Sequence, residues 1–382
     1  RIATGTHEIT SMQRGGSSAD VWVLAQRREE VDATTLLQPH PTPEAIMQRQ
    51  RLVTSRAAEN LFWLGRYTER AENSVRLARL ALVSLGGDDL SSQPLLHWLS
   101  EAAVDSGLVL ASVPHAAQAR RVFERSLIDG LAHPERYSVG HNLRALRQAA
   151  AGVRERLSQE HWNIIVRAEE EFFRRAAAHA DEAHFPAIDA LRLLESASGH
   201  LAAITGGQTD RMTRDDGWRL LSIGRHIERL GCLAGALQLG FETGAVLDEA
   251  GFEGLLALFD STITFHAQYQ QTRDVPALLD LLVMDRDNPR SLGWVAQTLR
   301  GRLAKISGKR AGEWEALSLA VPDPDQWDLP TLCGDPTAAP GTLSPHLGEL
   351  LRLCSESSFA LSDAISALYF AHTADLSVSI AT

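Results

Sequence analysis

The chain has 382 residues, enough to bury one large core or two ordinary ones without disulfide or metal staples. A formal charge of −11 with a pI near 5.7 argues against nucleic acid as the main ligand, because phosphate contacts need a basic face. No apolar run approaches the roughly 18 residues of a membrane span, and Cys232, Cys333 and Cys354 lack the C-x-x-C spacing of zinc or redox sites, so a soluble, cytoplasmic chain with no membrane partner is expected.

Residues 1–25 read as a β-hairpin: His7 to Arg14, a Gly15-Gly16-Ser17-Ser18 turn, then Asp20 to Ala25 with Val21, Trp22 and Val23. A lone hairpin is marginally stable, so this one needs a surface to pack on or a sheet to complete. Residues 26–50, with Pro41 and Pro43 and no period, read as a linker. From Thr54 the pattern is helical, with Ser55 as the first N-cap. Helices are expected near 54–85, 92–105, 116–131, 138–158, 160–180, 186–204, 215–242, 249–271, 275–284, 289–306, 309–318 and 346–372. Breaks are expected at Gly86-Gly87-Asp88-Asp89, Gly107 to Pro114, His133-Pro134 and Gly206-Gly207. Val321 to Pro345 holds six prolines and is expected to be either an ordered crossover or a mobile lid.

The first helix carries two messages. Leu61, Leu64, Thr68, Ala71, Val75, Ala78 and Leu82 fall alternately three and four apart, which is one face turned toward a partner. On the opposite side, at about 100° per residue, Glu59, Phe62, Trp63, Arg66, Arg70, Asn73 and Leu77 mix charge with large apolar groups, with Glu69 beside them. The pattern returns later: with Gly65 set against Gly224, an offset of 159 (224 − 65), the apolar seam becomes Leu220, Ile223, Ile227, Leu230, Ala234, Leu237 and Phe241, and G-R-x-x-E-R recurs as Arg225, Glu228 and Arg229. Tyr137-Ser138-Val139-Gly140 similarly resembles Arg290-Ser291-Leu292-Gly293. Two offsets of similar size in the same order predict an all-α, duplicated antiparallel bundle with pseudo-twofold symmetry, its halves at about 54–205 and 206–375.

Arg66 and Arg70 form an i, i+4 like-charge pair, which is unfavourable unless something negative lies between them. Two arrangements meet that demand. Glu69 can pair across the twofold with Arg229 and Glu228 with Arg70, as buried forks that fix helix register. Alternatively the arginines line a pocket for an anion or peptide carboxylate. Asn288, Arg290 and Ser291, in Asp287-Asn288-Pro289-Arg290-Ser291, read either as a helix start with Pro289 in the first turn or as anion donors. Met212 to Trp218 reads as the cap and staple of the second motif helix. His179 and His184, with Glu182, fall on different helix faces, and no metal site is expected from them. No catalytic signature such as a nucleophile elbow, phosphate loop or H-E-x-x-H is present.

Residues from about Thr54 to His372 resemble the alpha-E family, through Ser55 to Asn73, Met212-Thr213-Arg214, Gly224-Arg225, Glu228-Arg229, Asn288 to Ser291, and Tyr369-Phe370 with His372. One departure is Leu146 to Ala151, where the family's A-R-E-N-A-R loses a Glu, an Asn and an Arg. Gly15 to Leu24 resembles the last strands of circularly permuted ATP-grasp domains, with Ala19 in place of the usual lysine. The resemblance implies a helical domain, 51–382, acting beside a fused or separate ATP-grasp carboxylate–amine ligase that makes or modifies a peptide. It implies that ATP and Mg²⁺ belong to that ligase domain, with no cofactor in this chain. An acidic peptide is the expected further partner, and a homo-oligomer is compatible with it. The alternatives carried forward are an enzyme using Glu69 or Glu228 as general base, and a structural dimerisation module.

Overall fold

The apolar seam of the first motif stretch becomes the inner face of the longest helix, α1 (Ser55–Gly86), and all seven seam residues are buried. In the computed structural model the described residues are 53–370, apart from 87–91, 134–136, 179–184, 271–272, 307–310, 336, 338 and 340. The expected hairpin over 1–25 and linker over 26–50 lie outside them, as do His179, Glu182, His184 and His372. The described residues are all-helical. The cap of helix α1 lies one residue earlier than expected: Thr54 Oγ1 accepts from the Ala57 amide at 3.3 Å, so Thr54 caps the helix and Ser55 is its first residue.

Chain order continues through α2 (Gln93–Asp105), α3 (Arg120–Gly130), α4 (Val139–Ala151), α5 (Gln159–Ala177), α6 (Ala187–Asp210) and α7 (Asp216–Glu242). It then runs through α8 (Glu249–Leu258), α9 (Thr262–Tyr269), α10 (Val275–Leu279), α11 (Leu292–Leu303), α12 (Ala311–Ala320), α13 (Leu329–Cys333) and α14 (Pro345–Ile365). The two motif helices, α1 and α7, pack on each other at the centre. Helices α4 and α6 cover α1, α5 lies across α4 and α6, and α11 and α14 cover α7 with α12 beside them. Trp98 of α2 is fully buried and donates from Nε1 to the Ala236 carbonyl of α7 at 3.1 Å, tying α2 to α7.

The α1–α7 crossing is close because both partners lack a side chain there. A Cβ on Gly65 would fall 2.0 Å from the Leu221 carbonyl oxygen, and one on Gly224 would fall 2.2 Å from the Phe62 carbonyl oxygen. Neither distance is physically accessible, so the backbones can approach this closely only with glycine at both positions. Apolar side chains of both helices are buried beside the crossing: Leu61, Leu64, Leu220, Ile223, Ile227 and Leu230 are each at most 1% exposed. Burying such side chains contributes about 1.5–3 kcal/mol each relative to exposure.

Several expected boundaries move for identifiable reasons. Gly206 and Gly207 do not break α6, which runs on to Asp210; Gly207 is buried against the His161 ring, where a Cβ would lie 3.1 Å from Cδ2. The helix expected over 249–271 divides at Asp260, whose φ of 54° takes the chain into the left-handed region and ends α8. Pro289 is not in a helical first turn. Ser291 caps α11 instead, accepting from the Trp294 amide at 3.0 Å and donating to the Asp285 carbonyl. Asp215 caps α7 by accepting from the Trp218 amide at 3.1 Å, and Arg156 grips both of its oxygens at 2.7 and 2.6 Å. The described residues of the proline-rich stretch pack as a crossover: Val321 is 1% exposed, its carbonyl accepts from Arg300 at 2.7 Å, and Ser344 donates to the Leu332 carbonyl at 2.6 Å.

Candidate functional site

Ionic groups collect where α1 crosses α7. Glu69 is completely buried and receives a fork from Arg229, Nε to Oε1 at 2.6 Å and Nη2 to Oε2 at 2.7 Å. Arg225 approaches Oε2 through Nε at 3.3 Å and Nη2 at 3.1 Å, and Arg290 reaches Oε1 at 3.2 Å. Burial alone would raise the Glu69 pKa, but the charges of Arg229 and Arg225 outweigh it and hold the carboxyl well below the usual range. Burial pulls Arg229 down, yet the Glu69 carboxylate leaves it raised. Beside them His226 is held to about 3 by burial and then by the charge of Arg229, so the ring is neutral, packed against Trp294.

Glu228 answers the first arginine pair in the same way. Arg66 Nε donates to Glu228 Oε1, and Arg70 Nε reaches that oxygen at 2.9 Å. The negative group demanded by the Arg66–Arg70 spacing is therefore a carboxylate from the other motif helix. Arg66 also donates to Ser362 of α14, and its guanidinium lies 4.8 Å from the Trp63 ring centroid. Phe62 and Trp63 thus serve the charge layer as apolar walls.

The third carboxylate, Glu72, faces a different setting. It accepts from Thr205 of α6, lies 3.4 Å from Arg290 Nη2, and has Arg225 at 3.8 Å and Arg76 at 4.0 Å. Arg76 is loosely held, its other acidic neighbour being the exposed Asp260 at 3.8 Å. Between α1 and α6 this corner opens into a cavity of about 210 Å³ lined by Glu72, Arg76 and Arg290 with Ser198, Leu201 and Thr205. Burial and the neighbouring Arg229 push Arg290 down to about 10, so an additional negative group beside it would be electrostatically favoured.

The structure brings together Arg66, Glu69, Arg70, Arg225, Glu228, Arg229 and Arg290. The other three expected residues play different parts. Asn288 builds the turn, accepting from the Arg290 amide at 3.0 Å and donating to the Leu281 carbonyl at 3.1 Å. Ser291 is a buried N-cap, and Asn73 is half-buried outside the ion pairs. Glu72 and Arg76 were missed although they lie three and seven residues after Glu69 on one face. Thr205 and Ser362 come from covering helices and carry no local signal.

A family model described as "a predicted alpha-helical domain with a conserved ER motif", named Alpha-E, matches residues 53–370. Three curated proteins, one from Mycobacterium bovis and two from Mycobacterium tuberculosis, each described as an uncharacterised protein, are 26% identical over 311 residues. The match covers 76% of this chain and 34% of each relative, so the chain spans about a third of their length. No solved structure matches. Among the described residues, no helix is long and apolar enough to cross a membrane.

Proposed function

The chain belongs to the Alpha-E family, and from that premise we propose that it is a non-catalytic helical partner of an ATP-grasp carboxylate–amine ligase, holding an acidic peptide beside the paired motif helices. The observation that carries this reading is the imbalance of charge at the Glu72 corner. Six arginines, Arg66, Arg70, Arg76, Arg225, Arg229 and Arg290, face three glutamates and the exposed Asp260. The surplus falls on Arg76 and Arg290, at the cavity, while Arg229 and Arg66 are committed to buried pairs. A carboxylate entering there meets guanidinium groups in a partly desolvated setting, where such pairs are stronger than in water.

Two further features support the reading. The resemblance of Gly15 to Leu24 to the end of a permuted ATP-grasp sheet suggests a ligase domain as the neighbour, and the greater length of the mycobacterial relatives leaves room for one. Reciprocity at the crossing supports the duplication: Glu69 takes Arg225 and Arg229 as Glu228 takes Arg66 and Arg70, and Gly65 meets the Leu221 carbonyl as Gly224 meets that of Phe62. Nothing in the geometry favours Glu69 as a general base, since its five arginine contacts hold it ionised and occupied.

Calorimetry with a glutamate-rich peptide and with ATP–Mg²⁺ tests the proposal. The peptide is expected to bind, ATP–Mg²⁺ is not, and Arg76→Ala is expected to weaken peptide binding while leaving the thermal midpoint near that of the wild type. Peptide binding indifferent to Arg76→Ala and Arg290→Ala, or tight binding of ATP, would reject it.

A further inference from the structure

Outside the ionic crossing, three side chains of metal-ligating type meet on the outer face of α2. His97 and Glu101 are one helical turn apart, and the segment between α2 and α3 brings His115 over them. Glu101 Oε1 lies 3.5 Å from His97 Nε2 and 3.5 Å from His115 Nε2, and the three ligand atoms are all within 4.8 Å of one another. Around a tetrahedral zinc with bonds of about 2.0–2.1 Å, neighbouring ligand atoms are about 3.3–3.4 Å apart. The two separations from Glu101 therefore already suit a shared ion, with little movement needed.

We propose that His97, Glu101 and His115 bind one divalent transition-metal ion of the zinc class. The set mixes two imidazoles with one carboxylate, which selects such ions over Mg²⁺ or Ca²⁺. Its geometry is built into the fold. Ser100, fully buried, accepts from the Ala116 amide at 2.9 Å and donates to the Leu96 carbonyl at 2.7 Å, so the residue after His115 is pinned to α2. The Gln118 and Ala119 amides donate to the His115 carbonyl at 2.9 and 3.0 Å, fixing the other side of the segment. Water can complete the coordination, because His97 is half exposed and the other two are about one-third exposed.

The electrostatics agree with the geometry. Asp105, one turn beyond Glu101, is pushed above the usual carboxylate range by burial and then by the charges of Glu101 and Glu242. A cation at Glu101 would relieve that repulsion. Metal binding would add a further tie between His115 and α2 beside the Ala116–Ser100 hydrogen bond, and would leave one position open to water.

The test is a titration of the full, tag-free chain with Zn²⁺ by calorimetry and with Co²⁺ followed by its visible d–d absorption. One equivalent is expected, weakened about tenfold or more by His97→Ala, by His115→Ala and by Glu101→Gln, and unchanged by His346→Ala at an exposed histidine elsewhere. In wild-type protein, histidine ring NMR signals supply a readout that needs no variant: of the 14 histidines, His97 and His115 alone should shift with the first equivalent of Zn²⁺. No binding up to millimolar metal, binding that survives all three substitutions, or a response from other rings would overturn the proposal.

Discussion

Replacing Glu69 by Gln keeps the shape of the most buried ionic group and removes its charge. In the native cluster Oε1 accepts from Arg229 Nε and Arg290, while Oε2 accepts from Arg225 and Arg229 Nη2. An amide can satisfy only one of these sets; its NH₂ must face the other with donor against donor. Arg225 and Arg290 would then keep Glu72, at 3.8 and 3.4 Å, while Arg229 would lose the carboxylate it is paired with. Breaking a buried ion pair by removing one partner costs about 3–5 kcal/mol, and at about 1–1.5 °C per kcal/mol for a chain of this length the midpoint should fall by roughly 4–6 °C. Acid sensitivity gives an independent check. Because the folded Glu69 pKa lies well below the ordinary 4.5 of a glutamate, its contribution is complete above that value and is lost as pH falls toward the folded pKa. The gap between wild type and Glu69→Gln should therefore be full at pH 7 and narrow below about pH 4.5. Adding Arg229→Met should cost less than the sum of the two single changes, since the stranded charge goes with it. Equal midpoints for wild type and Glu69→Gln at pH 7, measured by scanning calorimetry, would refute the reasoning.

The crossing itself predicts opposite effects for one substitution on α7. Gly224→Ala should destabilise strongly by forcing the Phe62 carbonyl away, whereas Gly235→Ala, with nothing within 4 Å, should raise the thermal midpoint through helix propensity worth about 1 kcal/mol. His226, with its pKa depressed to about 3, binds its proton in the unfolded chain before the folded one. Stability attributable to it should be complete above its ordinary value near 6.5 and fall with acid down to about pH 3; denaturant midpoints of His226→Asn should lack that component. Burial pushes Cys354 up to about 12, and burial with the charges of Glu69 and Glu228 does the same for Cys232. Thiol labelling at pH 8 should be slow for both in the native chain and fast in denaturant.

The parts of this fold that were legible in the sequence are those governed by period. The seam from Leu61 to Leu82 and its counterpart from Leu220 to Phe241 marked the central helices, and the i, i+4 spacing of Arg66 and Arg70 required a carboxylate that Glu228 supplies. Capping was legible only in part, since Thr54, Ser55, Asn288 and Ser291 are all chemically suitable and the choice among adjacent polar residues is made by backbone geometry. The Gly206-Gly207 expectation failed because propensity is a weak prior: packing of His161 on a bare backbone outweighs the cost of glycine in a helix. The cavity was invisible because Thr205 and Ser198 reach it from α6, more than a hundred residues from Glu72. His97, Glu101 and His115 were missed for a related reason. The first two are an ordinary i, i+4 pair, and only the pinned segment after α2 reveals the third.

Buried ion pairs give little net stability over apolar packing of the same volume, so the density of charge at α1 and α7 calls for another explanation. The two helices meet through glycine, and a glycine contact has no side chain to interlock; by itself it would tolerate sliding along the axis. The arginine forks do not. A shift of one turn would move Glu69 by about 5.4 Å relative to Arg225 and Arg229, well beyond hydrogen-bond reach, and would leave a fully buried carboxylate without partners. The penalty for the wrong register is therefore much larger than the gain for the right one. That asymmetry fixes α1 on α7, and with it the position of Arg290, whose guanidinium bridges Glu69 and Glu72 at the edge of the cavity. Register and the edge of the cavity thus depend on the same residues: the pairs closed at the centre hold Arg290 in place at the rim.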